Sequence, residues 1–206
     1  MYSYVLGFNL KFSGSAAEEF LFNAVRTWPQ LWGDIPGVTG TVLLASAFGL
    51  GGEYEYQWRV DFERLSTLAR IDEALKSDDQ SVRAITGEWY EARTAIRSSV
   101  ARHLDGSDSY DLDSGGRDGA IHLVLRSVPG ERERTTGVLE SARSAAGVLA
   151  AQVQRTELGT AAEDQVWLRL RGLESLDDVA DLDLGAGHGQ LFGEIRELDG
   201  SLFTGA

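Results

Sequence analysis

The residues best placed to do chemistry sit on strand-like runs, opposite an apolar face. In Glu53–Phe62, Tyr54, Tyr56, Trp58, Val60 and Phe62 alternate with Glu55, Gln57, Arg59 and Asp61. Alternate residues of a strand point to opposite faces. If the aromatic set packs on helices, Gln57 and Arg59 look the other way. The same reasoning turns Asn9 and Lys11 away from Tyr4, Leu6, Phe8 and Leu10. It turns His122 and Arg126 away from Ile121, Leu123 and Leu125, and Gln165, Trp167 and Arg169 away from Val166, Leu168 and Leu170. Polar groups that leave water must meet each other, ordered water or a ligand. With a ligand, they form a polar and aromatic pocket for a small planar molecule, anionic in view of the arginines. Gln57, Arg126, Trp167 and Arg169 would bind it. His122 would move the proton, since imidazole titrates near neutrality, and Arg59 or Arg126 would hold a developing enolate or phenolate. Without a ligand, the same groups form a hydrogen-bonded interface between two sheets, with pairs of the Glu55–Arg59 type.

The other histidines offer less. His103 ends a strand-like run and is expected to be exposed, and His188 lies in the loop Gly185-Ala186-Gly187-His188-Gly189. Trp28, Trp32 and Trp89 recur on helical stripes and suit a core, although Trp28 and Trp32 together could wall a pocket mouth. There is no cysteine, which excludes disulfides, thiolate metal sites and a cysteine nucleophile. No H-x-H or H-E-x-x-H motif occurs. The aspartates of Asp108–Asp113 lack the glycine and final glutamate of a calcium loop. No phosphate-binding glycine loop follows a strand. A net charge of −13 disfavours phosphate backbones and anionic membranes as partners. No apolar run approaches a membrane span and the N-terminus has no basic leader. The reading is a cytoplasmic protein with a small-molecule partner, no metal and no cofactor.

These side chains need a scaffold, and the order of elements supplies one. Strand, helix, two strands, helix and strand follow one another over residues 1–104. After an Asp/Ser/Gly-rich linker at 105–119, a shorter copy follows over 120–206. This βαββαβ order is the split βαβ, or ferredoxin-like, unit. Strands are expected at Tyr4–Phe12, Thr41–Phe48, Glu53–Phe62, Thr94–Val100, Ala120–Leu125, Leu149–Glu157, Asp164–Arg171 and Gly189–Glu197. Helices are expected from Ser15 to about Trp28, over Leu65–Leu75 and Gln80–Tyr90, and over Glu131–Ala146 and Leu173–Leu182. Ser15 and Glu18 have capping-box spacing, and Pro29 marks a kink or end of the first helix. The fold class is α+β, with two tandem modules whose sheets face a shared space.

Several stretches together resemble a known family. They are the first strand with Asn9, the helix ending Trp28-Pro29-Gln30-Leu31-Trp32, the link Ile35-Pro36-Gly37-Val38, and the Tyr-rich third strand followed by DFERLSTL. Over the first hundred residues the chain is similar to the dimeric α+β barrel superfamily. That superfamily holds antibiotic-biosynthesis-type monooxygenases, muconolactone isomerases, small polyketide cyclases and haem-degrading oxygenases. The resemblance implies an intramolecular pseudo-dimeric barrel, the second module taking the place of a partner chain, and leaves room for a homodimer of chains. It implies a cofactor-independent monooxygenase, isomerase or cyclase acting on a small aromatic or polyketide-like metabolite inside the barrel. The monooxygenase members use an Asn, a Trp and an Arg. Asn9 matches the first, Trp28 or Trp32 the second and Arg59 the third. Haem-degrading members hold haem through a His that has no counterpart here. The alternatives are a non-catalytic binding or assembly protein of the same fold, or a haem-binding member.

Overall fold

A computed structural model describes residues 1–104, 120–127, 132–159, 163–180, 182 and 189–195. The proposed linker at 105–119 and His188 lie outside the described residues. The strands are β1 (Tyr2–Leu10), β2 (Val38–Ser46), β3 (Tyr56–Phe62), β4 (Arg93–His103), β5 (Ile121–Ser127), β6 (Val148–Leu158), β7 (Asp164–Leu170) and β8 (Gly189–Glu194). The helices are α1 (Ser15–Gly33), α2 (Thr67–Leu75), α3 (Gln80–Ala92), α4 (Arg132–Ser144) and the short α5 (Leu176–Val179). All eight strands close into one antiparallel barrel in the order β1-β3-β2-β8-β5-β7-β6-β4.

The order is two ferredoxin-like sheets, 4-1-3-2 and 8-5-7-6, joined along their edges rather than merely stacked. The seams are β2–β8, over Leu44–Ser46, and β4–β6, over Val100–His103. Helices cover the outside. Leu6, Phe8, Leu10, Trp58, Val60 and Phe62 pack under α1, α2 and α3, while Ile121, Leu125, Leu168 and Leu170 pack in the second module with Val138, Leu139 and Ala142 of α4. The opposite faces line the barrel, where Val42, Leu44, Val124, Ala150, Trp167 and Phe192 form an apolar girdle.

Two local expectations are corrected. Ser15 does not cap α1: Gly14 occupies that position with φ 63° and no side-chain cap forms. Pro29 does not end the helix, which runs on to Gly33. Trp28 and Trp32, on either side of it, are both buried, and that packing outweighs the lost backbone bond.

One irregularity decides where side chains point. In the β1–β4 ladder Gly7 faces Arg97 but Asn9 faces Thr94, so β4 carries one extra residue there. Ala95 sits at φ 49°, in the left-handed region. Such a bulge shifts the in/out alternation by one. Val100 packs outward and Arg97 faces the barrel, yet Arg93, four residues from Arg97, turns outward again.

Candidate functional site

Among the described residues, the inward-facing polar side chains of the barrel are buried and pair with one another. The register equates β1 with β5 and β3 with β7, so Ser3 corresponds to His122, Gln57 to Gln165, Arg59 to Trp167 and Asp61 to Arg169. Unlike residues at matching positions allow pairing within each half and across the middle. Arg59 donates from Nε to Asp61 Oδ1 at 2.8 Å, and from Nη2 to Asp61 Oδ2 at 2.8 Å and to Gln152 Oε1 at 2.6 Å. Its guanidinium carbon lies 4.8 Å from the Trp167 ring centroid. In the other half, Glu194 Oε1 meets His122 Nε2 at 2.7 Å and Arg169 Nε at 3.2 Å. Two buried cations thus face two buried carboxylates. Breaking such a pair is far costlier than the pair's own net worth.

A chain of donors ends on Asp61. Gln152 Oε1 receives Arg59 and Gln154, so its Nε2 must be the group 3.0 Å from His103 Nδ1. An amide NH2 only donates, so Nδ1 accepts and the proton of the neutral ring sits on Nε2. Nε2 then donates to Ser3 Oγ at 2.6 Å, and Ser3 Oγ donates to Asp61 Oδ1 at 2.6 Å. Burial lowers the His103 pKa to about 4, with Asp61 pulling upward and Arg59 downward. The His122 pKa is also lowered, first by burial, against the pull of Glu194.

The expected residues are therefore placed as follows. Gln57, Arg59, His122, Trp167 and Arg169 all enter the barrel. Arg59 pairs with Asp61, not Glu55, because β3 begins only at Tyr56 and Glu55 stays exposed. Asn9 sits at the barrel end, where its Oδ1 accepts from the Glu55 amide at 2.7 Å, and does not join the central groups. Arg126 pairs with Gln165 in the ladder, and its side chain lies outside the described residues. Trp28 and Trp32 are on the far side of the sheet, under the helices. His103 is not exposed as its terminal position suggested: the β4–β6 seam folds it into the polar chain. The free space at the barrel's open end is about 30 Å³, room for one or two waters.

The larger cavity lies between the first sheet and α1–α3, and measures about 170 Å³. Its walls include Trp28, Trp32, Trp58 and Trp89, four of the five tryptophans, with Tyr4, Tyr90 and Arg93. The rings interlock: Trp28 lies 5.2 Å from Trp58 and 5.0 Å from Trp89, centroid to centroid. Trp58 Nε1 is satisfied by Thr41 Oγ1. Trp32 Nε1 and Arg93 Nε are buried without a hydrogen-bond partner. Arg93 lies over the Tyr90 ring at 4.5 Å and the Trp89 ring at 5.5 Å. Burial lowers its pKa and raises that of Tyr4. The site thus combines an aromatic box with two donors lacking acceptors, which suits a flat ring carrying an oxygen. None of the described residues lining it is a histidine, so they offer a haem iron no imidazole ligand. No cluster able to hold a metal ion occurs among the described residues. Sequence reasoning gave Trp28 and Trp32 either to the core or to the wall of a pocket mouth, took Trp58 and Trp89 for the apolar packing face, and missed Arg93, although its spacing of four from Trp89 was the available signal.

No protein-family model matches the chain, and no curated protein sequence does. Solved structures do match. A candidate monooxygenase of Fusobacterium nucleatum aligns with TM-score 0.63 at 10% identity, over 95% of this chain and 92% of that one. A candidate monooxygenase of Lactobacillus acidophilus aligns at 0.58 and 10%, over 95% and 94%. The chlorite dismutase of Candidatus Nitrospira defluvii aligns at 0.52 and 11%, over 95% and 91%. No helix among the described residues is long and apolar enough to cross a membrane. The closed eight-stranded barrel, its outer helices and these near full-length alignments assign the chain the dimeric α+β barrel fold, built here from two ferredoxin-like modules in one polypeptide.

Proposed function

We propose that the protein is a cofactor-independent oxygenase of a small aromatic compound, and that the compound binds between the first sheet and α1–α3 rather than inside the barrel. The observation that carries this reading is the tryptophan-walled cavity with two unsatisfied donors. A dry apolar cavity of about 150 Å³ holds benzene. One of about 170 Å³ holds a ring of that class, with further rings reaching the mouth beside Asp72. A carbonyl or phenolic oxygen would accept from Trp32 Nε1 and Arg93 Nε. Donors fixed where negative charge develops favour ionisation of a neighbouring C–H. The proton leaves to solvent past Asp72. The carbanion then reduces dioxygen, and the peroxide formed loses water, so that CH2 and O2 become C=O and H2O. One structural neighbour is described as an anthrone oxidase-like protein, and such a substrate has this acidic CH2 beside fused rings.

Titration with 1-naphthol and anthrone tests the reading. Bound ligand quenches tryptophan fluorescence, because most of the tryptophans line the site, and anthrone with air yields the quinone faster than buffer does. Quenching without turnover reduces the protein to a binding module. No quenching by either compound refutes the site.

A further inference from the structure

The wall of the aromatic cavity holds a cation without a counterion. Among the described residues, both fully buried arginines have a carboxylate: Arg59 lies 2.8 Å from Asp61 and Arg169 lies 3.2 Å from Glu194. Arg93 is half-buried and forms no ion pair among the described residues. Its guanidinium carbon lies instead over two rings, 4.5 Å from the Tyr90 centroid and 5.5 Å from that of Trp89. Ring faces offset a positive charge only in part.

The other titratable groups lining the cavity do not balance it. They are Tyr4, Asp72 and Tyr90. Burial raises the Tyr4 pKa and so keeps that phenol neutral. Asp72, the one acid among them, is bonded to Lys76 Nζ at 2.7 Å, and the two side chains are 63% and 73% exposed. A guanidinium keeps its proton in proteins, so Arg93 stays charged. The bulge in β4 is what delivers this charge to the helix side of the sheet.

We propose that the cavity takes its ligand as an anion, a ring bearing an ionised oxygen such as a phenolate or enolate, in preference to the neutral compound. This preference rests on the cavity being the ligand site, and adds the ligand's ionisation state to that reading. Opposite charges attract strongly where water is scarce. The net charge of −13 repels anions, but salt screens that repulsion beyond about 8 Å. At contact distance the neighbouring guanidinium dominates. A charge acts through space, so the preference does not depend on which nitrogen meets the oxygen. Ring compounds with an acidic O–H are the favoured class, and their affinity rises with pH until the free ligand is itself ionised.

The test mixes the full chain with 4-nitrophenol at a pH where the free phenol is mostly protonated. The phenolate is yellow and the phenol is not. The expected result is a saturable rise of the phenolate band that 1-naphthol displaces. Phenolate should bind at least about tenfold more tightly than phenol, equivalent to a bound pKa lower by about one unit. Arg93→Gln keeps a donor and loses the charge, so it should abolish the preference, whereas Arg93→Lys should keep it. Tryptophan quenching by 1-naphthol, read on the same proteins, reports the cavity itself. Quenching with no phenolate rise overturns the charge preference and leaves the site standing. A rise that 1-naphthol does not displace, or that survives in Arg93→Gln, also overturns it. No quenching removes the site and the preference together.

Discussion

His103 provides a quantitative test of the barrel's polar filling. Its Nδ1 accepts from Gln152 and its Nε2–H donates to Ser3, so the native state needs the neutral ring. Protonation would put a second proton between Nδ1 and the Gln152 amide and add charge beside Arg59. The folded pKa of about 4 lies below the ordinary 6.5. In the unfolded chain the ring takes up its proton as pH falls through 6.5, whereas the folded ring resists until about 4. The unfolded state thus binds more protons across that window, and stability falls as the pH drops from about 6.5 to 4. At about 1.4 kcal/mol per pKa unit, the total loss is about 3 kcal/mol. His122, also held below its ordinary value, adds loss of the same sign. The assay is urea unfolding at half-unit steps from pH 7.5 to 4, on the wild type and on His103→Gln, whose amide can donate to Ser3 and accept from Gln152. The difference between the two proteins should shrink in the variant's favour by about 3 kcal/mol as pH falls, with equal m-values. Parallel curves would refute the polar chain as drawn, and a wild type gaining on the variant at low pH would reverse its sign.

Other perturbations follow from the same geometry. Asp61→Asn strips Arg59 of its carboxylate inside the barrel and should cost about 3–5 kcal/mol in urea unfolding. Gly7→Ala would place a Cβ 2.7 Å from the Tyr54 ring. Overpacking of this kind costs about 1–3 kcal/mol, and the ring should swing out, which faster amide exchange at Gln57 would reveal. In the aromatic cavity, Trp32→Phe keeps a ring but loses the N–H, and Arg93→Met keeps length but loses the cation. Each should weaken 1-naphthol binding about tenfold in a fluorescence titration, the worth of one hydrogen bond to a charged or buried partner. Unchanged affinity in both would remove the oxygen-recognition role.

The amino-acid sequence alone determined the elements and their two faces. Period-two runs such as Tyr56–Phe62 have one apolar and one polar side, and the αβ order over residues 1–104 specifies a ferredoxin-like unit. That was enough to send Gln57, Arg59, His122 and Trp167 to the inner face, because alternation is a property of the local backbone. Closure was not local. Which edges join, and so whether His103 meets Gln152 or solvent, depends on contacts between residues far apart in the chain. Whether polar inner faces leave a chamber or fill it depends on pairing across the barrel, as between Arg59 and Gln152. The outward turn of Arg93 rests on one extra residue in β4, a register shift visible only against β1. Hydrophobic patterning decides the side of a sheet, but packing between distant segments decides where space remains.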